Sequence, residues 1–421
     1  MKDYNCKSVG IIGAGIQGVC IGLQLIKKGV PVTIFDRNDP TEINFKPASY
    51  GNAGHFSPYA VLKFNRPDIL YNIPKMLFSS KGPLALKWNY VLKLTPWLFN
   101  YLKNCNKKSM LHTAKYMHQI CKLSINAYEE IFEEIDTSNL LDKKGIIYIW
   151  KNKNIKSREL EIKVRNDLGI KQKLLSRDEI MDLEPNLNPI FDGGVLFEKS
   201  MHARDPYGIY KKIFDLYLKK GGKFIKEDII SLKQVDKNKT IIKSINKEYN
   251  FEKSVVAAGA FSKKFTDQLE EDIPLDTERG YHVHFKDKEN LISRPVICLD
   301  NGFSMSPMNQ GLRAVGTVEL GGLKNPPSQK RIKYLIRCAK NLIPKLEECD
   351  HEDEWLGFRP SLPDFLPVFG PSLKNKNIVY AFGHDHLGWT LGAITGKIVS
   401  GIVAEEKTNL DLAPYSSNRF K

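Results

Sequence analysis

Apolar residues crowd the first forty positions in two rhythms. Ser8 to Ile12 is a short apolar run of the kind buried on both faces of a parallel sheet, and beyond a cluster of glycines the pattern from Gln17 to Lys28 turns helical, closed by Gly29. Pro31 to Asp36 predicts the next strand. Strand, turn, helix and strand in that order predict the opening of a parallel α/β sheet.

Further along, residues 65–103 mix Pro67, Pro74, Pro83 and Pro96 with aromatic side chains and lysines, which predicts short, broken helices. Ile120, Leu123, Ala127, Ile131 and Ile135 share one helical face, so a single surface helix is expected between about Lys107 and Ile135. β-Rich patches at 145–150, 193–199, 280–285 and 311–320 predict a mixed or antiparallel sheet separate from the first. Asp205 to Lys220 reads as a helix with Pro206 in its first turn, and residues 223–229 and 239–252 as a strand and a hairpin. The segment 378–404 repeats the opening grammar: strand Ile378 to Phe382, glycine turn Gly383 to Gly388, small-residue helix Trp389 to Ala404. No repeat, low-complexity tract or Gly/Ser linker divides the chain, so its domains are expected to interleave.

A chain of 421 residues, 42% hydrophobic, has room for two or three domains. The apolar run at 9–26 holds five glycines and two glutamines, so neither a signal segment nor a membrane helix is expected there. Seven scattered cysteines without a C-x-x-C pair suggest reduced thiols and a cytoplasmic setting. The net charge of +15 favours anionic partners, but the lysines are dispersed through a Lys/Asn/Ile-rich composition, and no nucleic-acid module is present.

The glycines carry chemistry. In Val9-Gly-Ile-Ile-Gly-Ala-Gly-Ile-Gln-Gly18, Gly13 permits the strand-to-helix turn, Gly15 lets backbone approach a pyrophosphate, and Gly18 lets the helix pack on the sheet. Ala14, Ile16 and Gln17 complete a helix N-terminus that attracts phosphate. Asp36, followed by Arg37, ends the second strand where a carboxylate accepts ribose hydroxyls and repels a 2′-phosphate. NAD and FAD share this unit. The second glycine turn at 383–388 offers another positive helix end, suited to the negative charge that a reduced flavin gathers and a nicotinamide does not.

Those motifs, with residues 48–59 (ASYGNAGHFSPY), 254–262, 274–285 (PLDTERGYHVHF), 311–323, 357–372 (GFRPSLPDFLPVFGPS) and 383–396 (GHDHLGWTLGAITG), resemble the FAD-dependent D-amino-acid dehydrogenase family in order from residue 8 to about 404. The resemblance implies an α/β fold: a Rossmann-type FAD-binding domain (1–62, 200–275 and 355–421) interleaved with an α+β substrate domain on a mixed sheet (63–199 and 276–354). It implies FAD contacts from Ser49, Asn52, Ala53, Gly54, Ala258 and Gly259, and from Gly383, His384, Leu387, Gly388, Trp389 and Thr390.

It also implies oxidative deamination of a small D-amino acid to a 2-oxo acid and ammonia, by hydride transfer to flavin N5, with electrons passed to a quinone or other carrier. Arg359 matches the arginine that pairs with the substrate carboxylate. Arg279, Tyr281 and His282 lie on a strand running toward the flavin, Tyr281 and His282 on opposite faces, so only one of those two can look into the site. His55 departs from the family's usual polar residue and suits either covalent attachment of FAD or a neutral imidazole that orients substrate. The pairs His282/His284 and His384/His386 lack a third ligand at metal-site spacing, so no metal is expected.

Two other readings use the same residues: an oxidase or dehydrogenase of secondary amines or other small zwitterions, also clamped by Arg359, and a flavin-binding sensor without turnover. Trp88, Trp97, Phe99 and six lysines between Lys63 and Lys103 would let the 65–103 segment rest peripherally on the cytoplasmic face of an anionic inner membrane, or else form a capping lobe.

Overall fold

The computed structural model describes residues 7–42, 46–67, 82–151 and 155–421. Its first sheet runs in the order Lys223–Lys226, Val32–Asp36, Val9–Ile12, Lys253–Val256, Ile378–Phe382 and Val368–Pro371, all neighbours parallel but the last pair. Strands from the start, middle and end of the chain therefore lie side by side. Alternation along each strand splits the two faces. Ile11, Ile34 and Val255 pack toward the helices, whereas Ile12, Phe35 and Val256 pack beneath a three-stranded meander, Ile229–Asp236, Lys239–Ser244 and Glu248–Phe251.

The helices Ile16–Lys27 and Gly388–Val403 pack closely. A Cβ on Gly396 would lie 2.7 Å from the Cys20 carbonyl oxygen, so glycine sets their separation. Helix Pro206–Lys219 packs beside the first, capped by Asp205, whose carboxylate accepts the Gly208 N–H at 2.8 Å.

The second sheet has nine strands: Glu352–Ser361, Asp276–Lys286, Gly311–Leu320, Phe303–Met308, Val296–Cys298, Ile146–Trp150, Gly193–Phe197 and Lys173–Ser176, with Leu84–Leu86 parallel to the end of the third. It is mixed, as expected, with one other parallel pair between Val296–Cys298 and Ile146–Trp150. Helix Gln329–Leu342 seals one face against Tyr281, Val283 and Phe285; the other face turns toward the first sheet and a large cavity.

Two expectations fail. The periodicity across Lys107 to Ile135 belongs to two helices, Lys107–Cys121 and Ser124–Phe132, which keep Ile120, Ala127 and Ile131 in one core while the chain bends at Lys122 and Leu123. Within 65–103, residues 68–81, including Pro74, lie outside the described part, but Val91–Asn104 is one continuous helix with Pro96 inside it. An interior proline costs about 3 kcal/mol, and burying Leu94, Trp97 and Tyr101 at about 1.5–3 kcal/mol each outweighs it. The Trp97 indole N–H also donates to the Ser361 carbonyl at 3.2 Å.

Candidate active site

The first strand delivers Gly13 at φ +110°, where its N–H donates to the Phe35 carbonyl at 2.8 Å and a Cβ would lie 2.5 Å from the Ala257 oxygen. A Cβ on Gly18 would run into the Gly13 carbonyl oxygen, so helix and turn meet only without a side chain there. Gly15 instead faces open space. The Ala14 N–H donates to Asp36 Oδ2 at 2.9 Å, and the Ala14 carbonyl accepts the Tyr210 hydroxyl at 2.5 Å. Burial pushes the Asp36 carboxyl up, partly offset by the Ala14 and Asn38 N–H groups. Arg37 lies over the Phe261 ring, 4.2 Å from its centroid.

The loop after Pro47 is tied to both helix starts. Ser49 Oγ accepts the Ile16 N–H at 3.2 Å; Asn52 bonds the Ser49 carbonyl at 2.5 Å and the Gly54 N–H at 2.6 Å, so its amide is used to hold the loop. Thr390 donates to the His55 carbonyl at 3.1 Å and accepts the Ser57 N–H at 3.0 Å. Gln17 donates to the Gly388 carbonyl at 2.6 Å, joining the two helix N-termini across the cavity floor. Gly383, at φ +83°, ends the strand before His384, which bonds Thr395 Oγ1 at 3.0 Å.

A cavity of about 1310 Å³ runs along these turns. That exceeds the roughly 300–1,000 Å³ of sites for drug-sized ligands. Of the expected cofactor residues, Gly13, Gly15, Ile16, Gln17, Asp36, Arg37, Ser49, Asn52, Ala53, Ala258, Gly259, His384, Leu387, Gly388, Trp389 and Thr390 line it. Ala14, Gly18, Gly54 and Gly383 stand behind its wall, acting on the backbone rather than the surface. Near the two helix starts and the facing sheet, the lining side chains Gln17, Thr317 and Trp389 each keep a buried polar atom without a protein partner: Oε1, Oγ1 and Nε1. Two helix N-termini, a carboxylate at one end and unpaired donors and acceptors at the other fit an extended dinucleotide whose polar ring would meet them.

On the facing sheet, register puts Arg359 opposite Glu278 and Gly357 opposite Gly280. The Arg359 guanidinium lies over Gly280, where a Cβ would collide with it, and donates to the Thr317 carbonyl at 2.9 Å. Burial draws the Arg359 pKa down while Glu278 and Asp385 support the charge. Glu278 is itself held by Ser361 Oγ at 2.9 Å and by His386 Nε2 at 2.9 Å. Burial pushes Asp385 up, but His386, Lys63 and Arg359 outweigh it and hold the carboxyl below its ordinary value. Glu278, Asp385 and His386 bring one ligand atom each within 4.8 Å of one another, yet Arg359 beside them and Lys63, 3.5 Å from Asp385, make this an ion-pair network.

Tyr281 and His282 lie outside the cavity lining. Tyr281 faces the opposite core and donates to Glu319 at 2.8 Å; its neighbour Arg279 is buried against the same glutamate at 3.2 Å. His282 shares the face of Glu278 and Gly280 but is stacked on Trp355 and bonded to the Gly51 carbonyl at 3.0 Å and Asp353 at 3.2 Å. His55 does line the cavity, bonded to Ser306 Oγ at 2.8 Å, and burial followed by His202 holds its pKa well below normal, so the ring is neutral. Glu278, Asp385, His386 and Lys63 were not singled out from sequence for the site; the Glu278-Arg279-Gly280 run, which places a charge beside a cavity glycine, was the available signal.

Fold and site together define a Rossmann-type dinucleotide-binding oxidoreductase whose cofactor groove opens onto an arginine-walled chamber. Residues 8–402 match the family described as FAD dependent oxidoreductase, and the chain belongs to that family. It is 32% identical over 418 residues to a D-amino-acid oxidase of Bradyrhizobium diazoefficiens, covering 98% of this chain and 99% of that one. A D-amino acid dehydrogenase of Vibrio atlanticus is 24% identical over 418 residues, 97% and 99% covered. The fold is similar to that of glycine oxidase from Geobacillus kaustophilus, with a TM-score of 0.75, 20% identity and 98% of each chain covered. The protein is thus an FAD-dependent enzyme.

Proposed function

We propose that the chain oxidatively deaminates a small amino acid, foremost a D-amino acid, to a 2-oxo acid and ammonia. The observation that carries this is the Arg359 guanidinium, exposed to the cavity over Gly280 and fixed by the Thr317 carbonyl. A planar cation held at one edge keeps its other N–H groups for a bidentate carboxylate. The names of the relatives from Bradyrhizobium and Vibrio support the same substrate class.

When bound, FAD supplies the two-electron acceptor. In this reading the residues 13–18 hold its diphosphate, Asp36 and Arg37 its adenosine, Ala258 and Gly259 the same end, and Ser49, Asn52, Ala53 and Gly54 the stretch toward the ring. Gly383, His384, Leu387, Gly388, Trp389 and Thr390 meet the ring's polar edge. Arg359 holds the substrate carboxylate, Glu278 and Asp385 keep the guanidinium in place, and neutral His55 orients the amine. Tyr281 and His282 act as supports outside the chamber. In this reading the cofactor part is 1–62, 200–275 and 355–421 and the substrate part 63–199 and 276–354, with strand Glu352–Ser361 spanning that boundary while paired in the nine-stranded sheet.

Electrons then pass to a quinone or other carrier. Trp88, Leu92 and Phe99 are 68%, 89% and 59% exposed on or next to one helix, which supports peripheral contact with a membrane from the cytoplasm. Among the described residues no helix is long and apolar enough to cross one, and the six described cysteines are unpaired.

Anaerobic mixing of the yellow holoenzyme with paired D- and L-amino acids tests the reaction: bleaching at about 450 nm by D-isomers is expected. Bleaching by sarcosine or proline derivatives alone would replace the reading with a secondary-amine one, and no bleaching by any amine would sink it. Dioxygen uptake afterward separates oxidase from dehydrogenase.

Two glycines separate binding from folding. Gly15→Val places its side chain in open cavity space, so the purified protein should be colourless with apoprotein stability within about 0.5 kcal/mol of wild type. Gly18→Ala meets backbone and should cost about 1–3 kcal/mol before any cofactor is added. Denaturant titration of both apoproteins checks this contrast; equal losses would refute it.

A further inference from the structure

A second group of charges enters the cavity wall from helix Ile155–Asp167, and the amino-acid reading leaves it unused. Arg158, Glu161 and Arg165 follow at three- and four-residue spacing, hence on one helix face, and all three line the cavity although they are only 8%, 6% and 4% exposed. Glu161 is shared. Its Oε1 accepts from Arg158 Nη1 at 2.6 Å and from Arg66, and its Oε2 from Arg165 Nη2 at 3.2 Å. Burial alone would push Glu161 up, but Arg158, Arg66 and Arg165 outweigh it, so the carboxylate stays ionised.

One carboxylate accepts about four hydrogen bonds, whereas each guanidinium carries five donors. The buried Nε–H groups of Arg158 and Arg165 have no acceptor. Two buried guanidiniums against one carboxylate leave surplus positive charge, which is costly unless another anion completes it.

The surplus borders the same cavity as Arg359. Tyr101, on the cavity wall, feels both Glu278, beside Arg359, and Arg66, beside Glu161. On the other side, the Ser57 N–H bonds Thr390 at 3.0 Å, Ser57 Oγ donates to the Tyr59 hydroxyl at 3.2 Å, and Tyr59 packs edge-on against Tyr148, whose hydroxyl senses Arg165 and Glu161.

We propose that Arg158 and Arg165 form a second anion subsite, which recognises the side-chain carboxylate of an acidic α-amino acid while Arg359 holds its α-carboxylate. This rests on the amino-acid reading above. It narrows the substrate class from small amino acids to those with two carboxylates.

The amides are the controls, since glutamine and asparagine match glutamate and aspartate in size and lack only the charge. Anaerobic reduction of the wild-type holoenzyme should favour each acid over its amide of the same hand by at least about 30-fold in kcat/KM. Equal rates, or a preference for the amides, would overturn the subsite and leave the amino-acid reading standing. In the double variant Arg158→Met, Arg165→Met the acid-to-amide ratio should fall toward one; a ratio that survives intact removes these arginines. Calorimetric titration of the holoenzyme with succinate and butyrate needs no turnover: succinate should bind at least about 30-fold tighter, and only while both arginines are present. If no amino acid reduces the flavin but succinate still shows that dependence, the deamination reading falls and the subsite stands; equal binding of the two acids refutes the subsite.

Discussion

Replacing Arg359 by Leu is expected to lower kcat/KM for an amino-acid substrate by about 30-fold to several thousand-fold, the cost of truncating one partner of a buried charge pair. The substitution removes the carboxylate's fork, and it also strips Glu278 and Asp385 of a cation that supports them. Turnover should suffer as well as affinity, because a substrate held by one end only is no longer aligned for reaction. FAD content, read from the visible spectrum, should be largely retained, since the glycine turn at 13–18 and Asp36 make no contact with Arg359. Arg359→Lys keeps the charge without the planar fork and should recover only part of the loss. Unchanged kinetics in the leucine variant would remove Arg359 from substrate binding.

Acid should destabilise the protein well before its carboxylates titrate. Burial is the main cause that lowers the pKa of His202 and His282 from 6.5 to about 4 and that of His384 to about 3, with Arg313 adding to it at His282 and Lys63 at His384. For His202 and His282 the nearby Asp142 and Asp353 oppose the drop without reversing it. These imidazoles protonate in the unfolded chain near pH 6.5 but in the folded one only near 4 or 3. Between those values the unfolded state binds more protons, so stability rises with pH and is lost as pH falls from about 6.5 to 4, by up to about 1.4 kcal/mol per pH unit for each histidine. Thermal unfolding followed between pH 7 and 4.5 should show Tm falling throughout that window. His282→Gln should flatten the slope by about one histidine's share. A profile level down to pH 5 would mean that the rings accept protons in the native state.

Local chemistry made parts of this protein readable. Gly13, Gly15 and Gly18 answer to the geometry of one turn, and Asp36 to the end of one strand, so spacing of a few residues contains the whole requirement. The glycine turn before Gly388–Val403 was legible for the same reason. The helix from Lys107 was not: apolar spacing is continuous across Lys122 and Leu123, and periodicity does not register a bend that keeps the same side chains buried. Pro96 misled in the opposite sense, because the burial that tolerates it comes from Phe365 and the Ser361 carbonyl, distant in the chain.

By itself the sequence determined the two strand–turn–helix units, since each depends on neighbours within about one turn or strand, while the cofactor class and Arg359 came from the resemblance of a whole ordered set of motifs. Only the tertiary structure decided which groups share the chamber. Pairing with Glu352–Ser361, in unbroken register from Asp276 to His282, turns Glu278 and Gly280 toward Arg359 and Tyr281 into the opposite core. Helix packing brings Arg158 and Arg165 to the same wall from some 200 residues away along the chain from Arg359. Side-chain direction at a site is set by register and by contacts between remote segments, and neither is written in any one stretch of residues.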